Sequence, residues 1–199
     1  MALPRIYYVR HGETDWNAAG RFQGGRDIPL NEVGRTQARQ AGAILKDLLA
    51  RDGGDGDDIP FVASPLGRAM ETMELVRGEL GLPREGYALD DRLREIGYGE
   101  WEGFTTAQMQ AAHPDIFARR LHDKWNVAPP GGETYAALGE RVRQWLATVE
   151  RDTVVVAHGG TLRGLMVVLD IEPSTKAADI YIEQGVVYVL ADGRLAKFE

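Results

Sequence analysis

The chain has 199 residues, 44% of them apolar and none of them cysteine, and a formal net charge of −7 at pH 7. That length supports one domain with a real core, and the missing cysteines remove disulfides, thiolate metal ligands and thiol catalysis. An acidic balance argues against general nucleic-acid binding, and no run approaches the roughly 18 apolar residues of a membrane span, so a cytoplasmic protein with neither partner is expected.

The apolar run Ile6–Val9 has the length and Tyr/Val content of a buried strand, and it stops at Arg10-His11-Gly12. Residues 12–30 are too long for a plain connection and read as a binding loop, with Asn17, Arg21, Gln23 and Gly24 as its most useful polar residues. Arg21 and Arg26 are taken as solvated loop charges. The spacing of Ala38, Ala41, Ile44, Leu45, Leu48 and Leu49 predicts a helix over 32–50, capped by Asn31. Residues 52–58 alternate Asp and Gly as calcium loops do but lack the closing glutamate, which favours a solvated connector. A second strand, Ile59–Ala63, stops at Ser64-Pro65. Pro65 suits the first turn of a helix carrying Leu66, Ala69, Met70, Met73 and Val76, with Arg68 one turn inside.

Tyr87–Leu89 reads as a short edge strand, and residues 93–103 as a shaped loop rich in glycine, aromatics and acids. Residues 105–123 read as helical but weakly amphipathic and broken at Pro114, and 125–132 form another loop. Residues from about 97 to 132 are therefore expected to be a helical lid or insertion and the seat of selectivity. A helix over 133–150 should face Tyr135, Leu138, Val142, Trp145, Leu146 and Val149 inward. Thr153–Ala157 repeats the pattern of the first strand, breaks at His158-Gly159, and leads into a helix face of Leu162, Leu165, Met166 and Leu169. After Pro173, strands near 185–190 and 195–198 flank a hairpin turn at Asp192-Gly193. Strands alternating with helices define an α/β class with a mostly parallel sheet, in which ligands sit beyond the carboxyl ends of the strands.

Three strand ends thus deliver Arg10, His11, Arg68 and His158, an anion site containing an imidazole that can act as nucleophile. For a phosphate monoester, arginines would compensate charge on the equatorial oxygens while neutral His11 attacks phosphorus; neighbouring guanidinium groups disfavour its protonation. His158 would donate a hydrogen bond to the transferring group. The leaving oxygen needs a proton from a carboxyl placed near the mouth, apart from the arginines: Glu95 first, Glu13 second, with Glu100 or Glu102 as replacements. His113 and His122 read as structural, and Trp101 serves equally as packing anchor or substrate wall.

Taken together, Arg10-His11-Gly12-Glu13-Thr14, Gly20-Arg21-Phe22-Gln23-Gly24 with Pro29-Leu30, Ser64-Pro65-Leu66-Gly67-Arg68-Ala69, Glu95 to Gly103, Pro130-Gly131-Gly132-Glu133 and Ala157-His158-Gly159-Gly160 resemble the histidine phosphatase superfamily, also called phosphoglycerate-mutase-like. The resemblance spans nearly the whole chain. It implies a three-layer fold with helices on both faces of the sheet, and a single domain over 1–199. It further implies that His11 is the phosphorylated nucleophile; that Arg10, Asn17, Arg68 and His158 form the phosphate pocket; and that Glu95 is the proton donor. Gln23, Gly24 and Tyr98 match substrate contacts, and Gly159 would lend a backbone amide. No metal or other cofactor is implied. The expected partner is a small phosphorylated substrate, and a homodimer is compatible with the sequence. Mutase members carry basic residues soon after the donor glutamate, whereas here Thr105, Thr106, Gln108 and Gln110 precede His113, Arg119 and Arg120. A phosphatase is therefore expected over a cofactor-dependent mutase, with a non-catalytic phosphate binder as a further alternative.

Overall fold

The computed structural model describes residues 4–54 and 56–199. Within them the strands β1 (Ile6–Arg10), β2 (Phe61–Ala63), β3 (Ala88–Leu89), β4 (Thr153–Ala157), β5 (Val187–Ala191) and β6 (Arg194–Phe198) form one sheet in the order β3-β2-β4-β1-β5-β6. The first four run parallel, while β5 pairs antiparallel with both β1 and β6. Asp192 and Gly193 both take positive φ, 50° and 69°, the conformation a two-residue hairpin between β5 and β6 requires.

Alternation along the strands builds two cores. Tyr7, Val9, Val154, Val156, Phe61 and Ala63 face α2 (Glu32–Arg51) and α3 (Gly67–Glu79), whereas Ile6, Tyr8, Val155 and Ala157 face α6 (Tyr135–Leu146) and α7 (Gly159–Val168). Every residue of β4 is buried, as befits a central parallel strand covered on both sides. The three-layer, mostly parallel α/β expectation is met.

Several boundaries differ from the sequence reading. The loop after β1 contains a short helix, α1 (Asp15–Ala18), closed by a capping box between Thr14 and Asn17. Helix α3 begins at Gly67, not Pro65, because Asp27 reaches over from the 12–30 loop and accepts from the Gly67 amide at 2.9 Å. Arg68 is therefore the second residue of its helix. At α6 the Thr134 hydroxyl accepts from Ala137 N at 3.0 Å and sets the start, and the helix ends at Leu146 although Val149 still packs on the core. Asn31 caps α2 as expected, accepting from Gly34 N at 2.8 Å.

The middle third holds α4 (Thr106–Ala112) and α5 (Pro114–His122), with Pro114 opening the second helix, where its missing N–H costs nothing. Met109 and Phe117 pack in the same core as Trp101, which is 1% exposed. In the 52–58 connector Asp55 lies outside the described residues, and Asp52 is bound to Arg5 and Tyr7. No helix among the described residues is long and apolar enough to cross a membrane.

Candidate active site

Register brings the two histidines together. Arg10 and Ala157 are direct partners across β1 and β4, and His11 N donates to Ala157 O at 2.9 Å, so the residues that follow both strands emerge side by side. The ring centroids of His11 and His158 are 5.1 Å apart. Ser64 joins them from β2, its amide donating to Val156 O at 3.0 Å.

The His11 ring contacts the Gly12 carbonyl through Nδ1 at 2.8 Å. A carbonyl only accepts, so Nδ1 carries the hydrogen and Nε2 keeps its lone pair. Burial, then the charges of Arg68 and Arg10, push the His11 pKa well below its ordinary value. At neutral pH the ring stays uncharged, the state a nucleophile needs. His158 is depressed likewise, by burial first and Arg68 second. Its backbone is pinned by the Tyr8 hydroxyl, which accepts from His158 N at 3.0 Å and donates to His158 O at 2.7 Å.

Arg68 is fully buried and spends its two terminal nitrogens on loop carbonyls, Arg26 O at 2.6 Å and Gly24 O at 2.9 Å. Arg10 donates through Nη1 to Ile182 O at 2.6 Å. In both, Nε is buried without a partner, and so are His158 Nδ1 and Gln23 Oε1. Of five such atoms among the described residues, four surround His11; the fifth is Arg120 Nη2. Buried polar groups are normally satisfied, so this concentration of unpaired atoms, two of them guanidinium Nε donors, marks where a bound group would complete them.

Arg10, Gln23 and Arg68 border a cavity of about 280 Å³ also lined by His11, Asn17, Gly24, Glu95, Tyr98 and Gly159, which gathers every site residue expected from the sequence except His158. His158 is fully buried and does not itself line the cavity, although its ring stands 5.1 Å from that of His11. Asn17 is held by Gln184, whose amide donates to Asn17 Oδ1 at 3.2 Å and to His11 O at 3.0 Å. Tyr98 packs edge-on against Phe22 at 4.8 Å. Glu95 accepts from Ile96 N at 2.9 Å and from Gly160 N at 3.3 Å. A Cβ on Gly160 would sit 2.2 Å from Glu95 Oε1, so the glycine keeps that seat open.

Other expectations are corrected. Glu95 stands within electrostatic reach of Arg10, Arg68 and Arg163, not apart from the arginines. Glu13 accepts from Asn31 Nδ2 at 3.0 Å, Glu100 pairs with His113, and Glu102 with Arg26; none of the three lines the cavity. Arg21 is no solvated charge: it lines the cavity and donates to Gly103 O at 2.6 Å. From residues 97–132 only Tyr98 reaches the cavity, so the lining there comes from residues 20–24, Arg163 and Tyr181 instead. Trp101 is a packing anchor whose Nε1 donates to His113 Nδ1 at 2.9 Å.

Sequence reasoning missed Phe22, Arg163 and Tyr181. Arg163 was findable, since it stands one helical turn after Gly159 and returns to the same face of α7. It donates to Ile180 O at 2.8 Å and to the Tyr135 hydroxyl at 3.1 Å. The position of Tyr181 depends on the irregular segment before β5, for which the sequence carries no periodic signal.

The fold is thus a mostly parallel α/β sheet with an uncharged imidazole set among arginines at its carboxyl edge. The chain belongs to the histidine phosphatase superfamily (branch 1), whose profile matches residues 6–192. It is 36% identical over 191 residues to a 2,3-bisphosphoglycerate-dependent phosphoglycerate mutase of Methylobacterium radiotolerans, covering 92% of this chain and 87% of the relative. It is 34% identical to a glucosyl-3-phosphoglycerate phosphatase of Mycobacterium tuberculosis, covering 85% of this chain and 76% of the relative. Among solved structures, Bacillus stearothermophilus YhfR superposes with a TM-score of 0.78 at 30% identity, over 97% of this chain and 94% of the other.

Proposed function

We propose that this protein is a phosphomonoesterase that works through a phosphohistidine on His11 and needs no metal. One observation carries the reading: the His11 hydrogen bond to Gly12 O leaves Nε2 free, in a pocket where Arg10 Nε and Arg68 Nε have no partner. Nε2 attacks phosphorus, the ester P–O bond breaks, and the leaving oxygen takes a proton from Glu95. Water then attacks the phosphohistidine, giving its proton to Glu95 and returning His11 and inorganic phosphate.

Hydrolysis is favoured over isomerisation because the basic residues after Glu95 are not at the cavity. Arg119 is exposed, and Arg120 turns inward to Val127 O and Lys124 O. Arg21 and Arg163, by contrast, line the cavity and are held by neutral acceptors only. The substrate this suits is a small phosphomonoester with a second negative charge near the ester.

The test is hydrolysis of p-nitrophenyl phosphate with chelator present, with trapping of an acid-labile phosphoenzyme. Both should vanish in His11→Ala, with a rate loss of at least about 10⁴-fold. Chelator-sensitive hydrolysis without phosphohistidine overturns the reading. Isomerisation of 3-phosphoglycerate with bisphosphoglycerate would make the chain a mutase, and stoichiometric phosphate-ligand binding without turnover would make it a binder. On the substrate, kcat/KM for 3-phosphoglycerate should exceed that for glycerol 3-phosphate by about tenfold or more, the scale of one charge-assisted hydrogen bond.

A further inference from the structure

Ser64 belongs to the Ser64-Pro65-Leu66 turn that introduces Arg68, and nothing in the reaction above uses it. It is fully buried, as is His158, and its hydroxyl lies 2.7 Å from His158 Nε2. The Leu66 amide donates to the same oxygen at 3.4 Å, which occupies one of its lone pairs. The hydroxyl hydrogen still needs an acceptor. Among the described residues the acceptor within hydrogen-bond distance is the Nε2 lone pair.

The consequence lies on the other side of the ring. A neutral imidazole that accepts at Nε2 carries its hydrogen at Nδ1, and His158 Nδ1 is buried with no partner. Without Ser64 the two tautomers of a neutral His158 would be separated by little, and the Nε2–H form would leave the buried Nδ1 of a ring 5.1 Å from His11 with a lone pair and no hydrogen to give. That form repels a phosphoryl oxygen.

We propose that Ser64 is a positioning residue: its hydroxyl holds His158 as the Nδ1–H tautomer, so that Nδ1 donates to an oxygen of the phosphoryl group while that group is on His11. The chain Leu66 N–H, Ser64 O–H, His158 Nδ1–H is a directed relay of hydrogen bonds, and no proton crosses it in either chemical step. It rests on the phosphatase reading for the identity of the anion, but the tautomer is a property of the resting protein.

The experiment uses the full chain with ¹⁵N-labelled histidine. Nitrogen and proton chemical shifts near neutral pH should show His158 protonated at Nδ1 and bare at Nε2, and Ser64→Ala should raise an Nε2–H population. The same variant should lose about 10- to 100-fold in kcat, the size found for groups that orient functional imidazoles, with KM changed far less. Ser64→Thr, which restores the hydroxyl, should recover much of the loss. An Nε2–H tautomer in the wild-type protein, a measurement that needs no variant to fold, overturns the proposal; so does a Ser64→Ala protein with wild-type kcat. The failures separate: a wild-type chain inactive on every monoester removes the phosphatase reading, whereas an active chain with the wrong tautomer removes this inference alone.

Discussion

The two ends of the central strands each carry a cavity, and they are built oppositely. At the carboxyl ends, about 280 Å³ is bordered by Arg10, Arg21, Arg68 and Arg163 with Glu95 as its one acidic lining residue. Toward the amino ends, a larger space of about 580 Å³ is bordered by Arg5, Arg151, Asp52, Asp58 and Asp152 among others. There the charges close on one another: Arg5 binds Asp52 and donates to the Tyr7 hydroxyl at 3.1 Å, and its amide donates to Asp152 at 2.8 Å. Among the described residues none of the buried partnerless atoms belongs to that lining. Volume therefore does not mark a site in this molecule. Clustered buried polar atoms without partners distinguish the two ends better, since four of the five among the described residues belong to Arg10, Gln23, Arg68 and His158.

Breaking the comparison begins with the open donors. Arg68→Lys keeps the charge but loses the fork that holds Gly24 O and Arg26 O and presents Nε; kcat/KM on p-nitrophenyl phosphate should fall about 10²- to 10³-fold. Near wild-type activity in the Arg68→Lys protein would mean that bulk positive charge suffices and that the open Nε is incidental.

Glu95→Gln should cost about 10²- to 10⁴-fold on an alkyl phosphate and much less on p-nitrophenyl phosphate, whose leaving group needs no proton. Equal losses on both esters would take the acid role from Glu95. A milder effect follows from the buried imidazoles. His11 and His158 bind protons far less readily in the folded state than the ordinary value of 6.5. As pH falls below about 6.5 the unfolded chain protonates first, so their contribution is whole above that pH and lost below it, down to the depressed folded values. Urea midpoints should drop over that window, and replacing both histidines by glutamine should flatten the slope. An unchanged slope would show that carboxylates alone set the acid limb.

The smallest effect is expected in the other cavity. Arg5→Gln removes a half-exposed pair with Asp52 and should cost about 1 kcal/mol or less of stability, leaving turnover untouched. A large loss of activity there would erase the contrast between the two ends.

Much of the site was legible because strands announce themselves by where they stop. Ile6–Arg10 and Thr153–Ala157 are apolar runs that end in histidine, and parallel sheets place such ends on one edge. The paired sequence blocks around Arg68 and Glu95 were legible as family motifs. Glu95 was misjudged in its surroundings, since no local pattern says that Gly160 would draw it in among three arginines. The lining supplied by Arg21 and Tyr181, and the absence of α4 and α5 from the cavity, were likewise not readable. Each depends on where an irregular segment crosses another element, and such crossings leave no period in the chain.

What the amino-acid order determined alone is the inventory: which strands exist, which residues stand at their ends, and that two imidazoles and two guanidinium groups share one edge. Local propensity and alternation suffice for that, since each acts over a few residues. The folded arrangement decided the protonation side of His11 through Gly12 O, set the Ser64 hydroxyl 2.7 Å from His158 Nε2, and fixed which buried polar atoms stay open. Those outcomes turn on single hydrogen bonds between residues up to 94 positions apart, fixed only once the strand register is set.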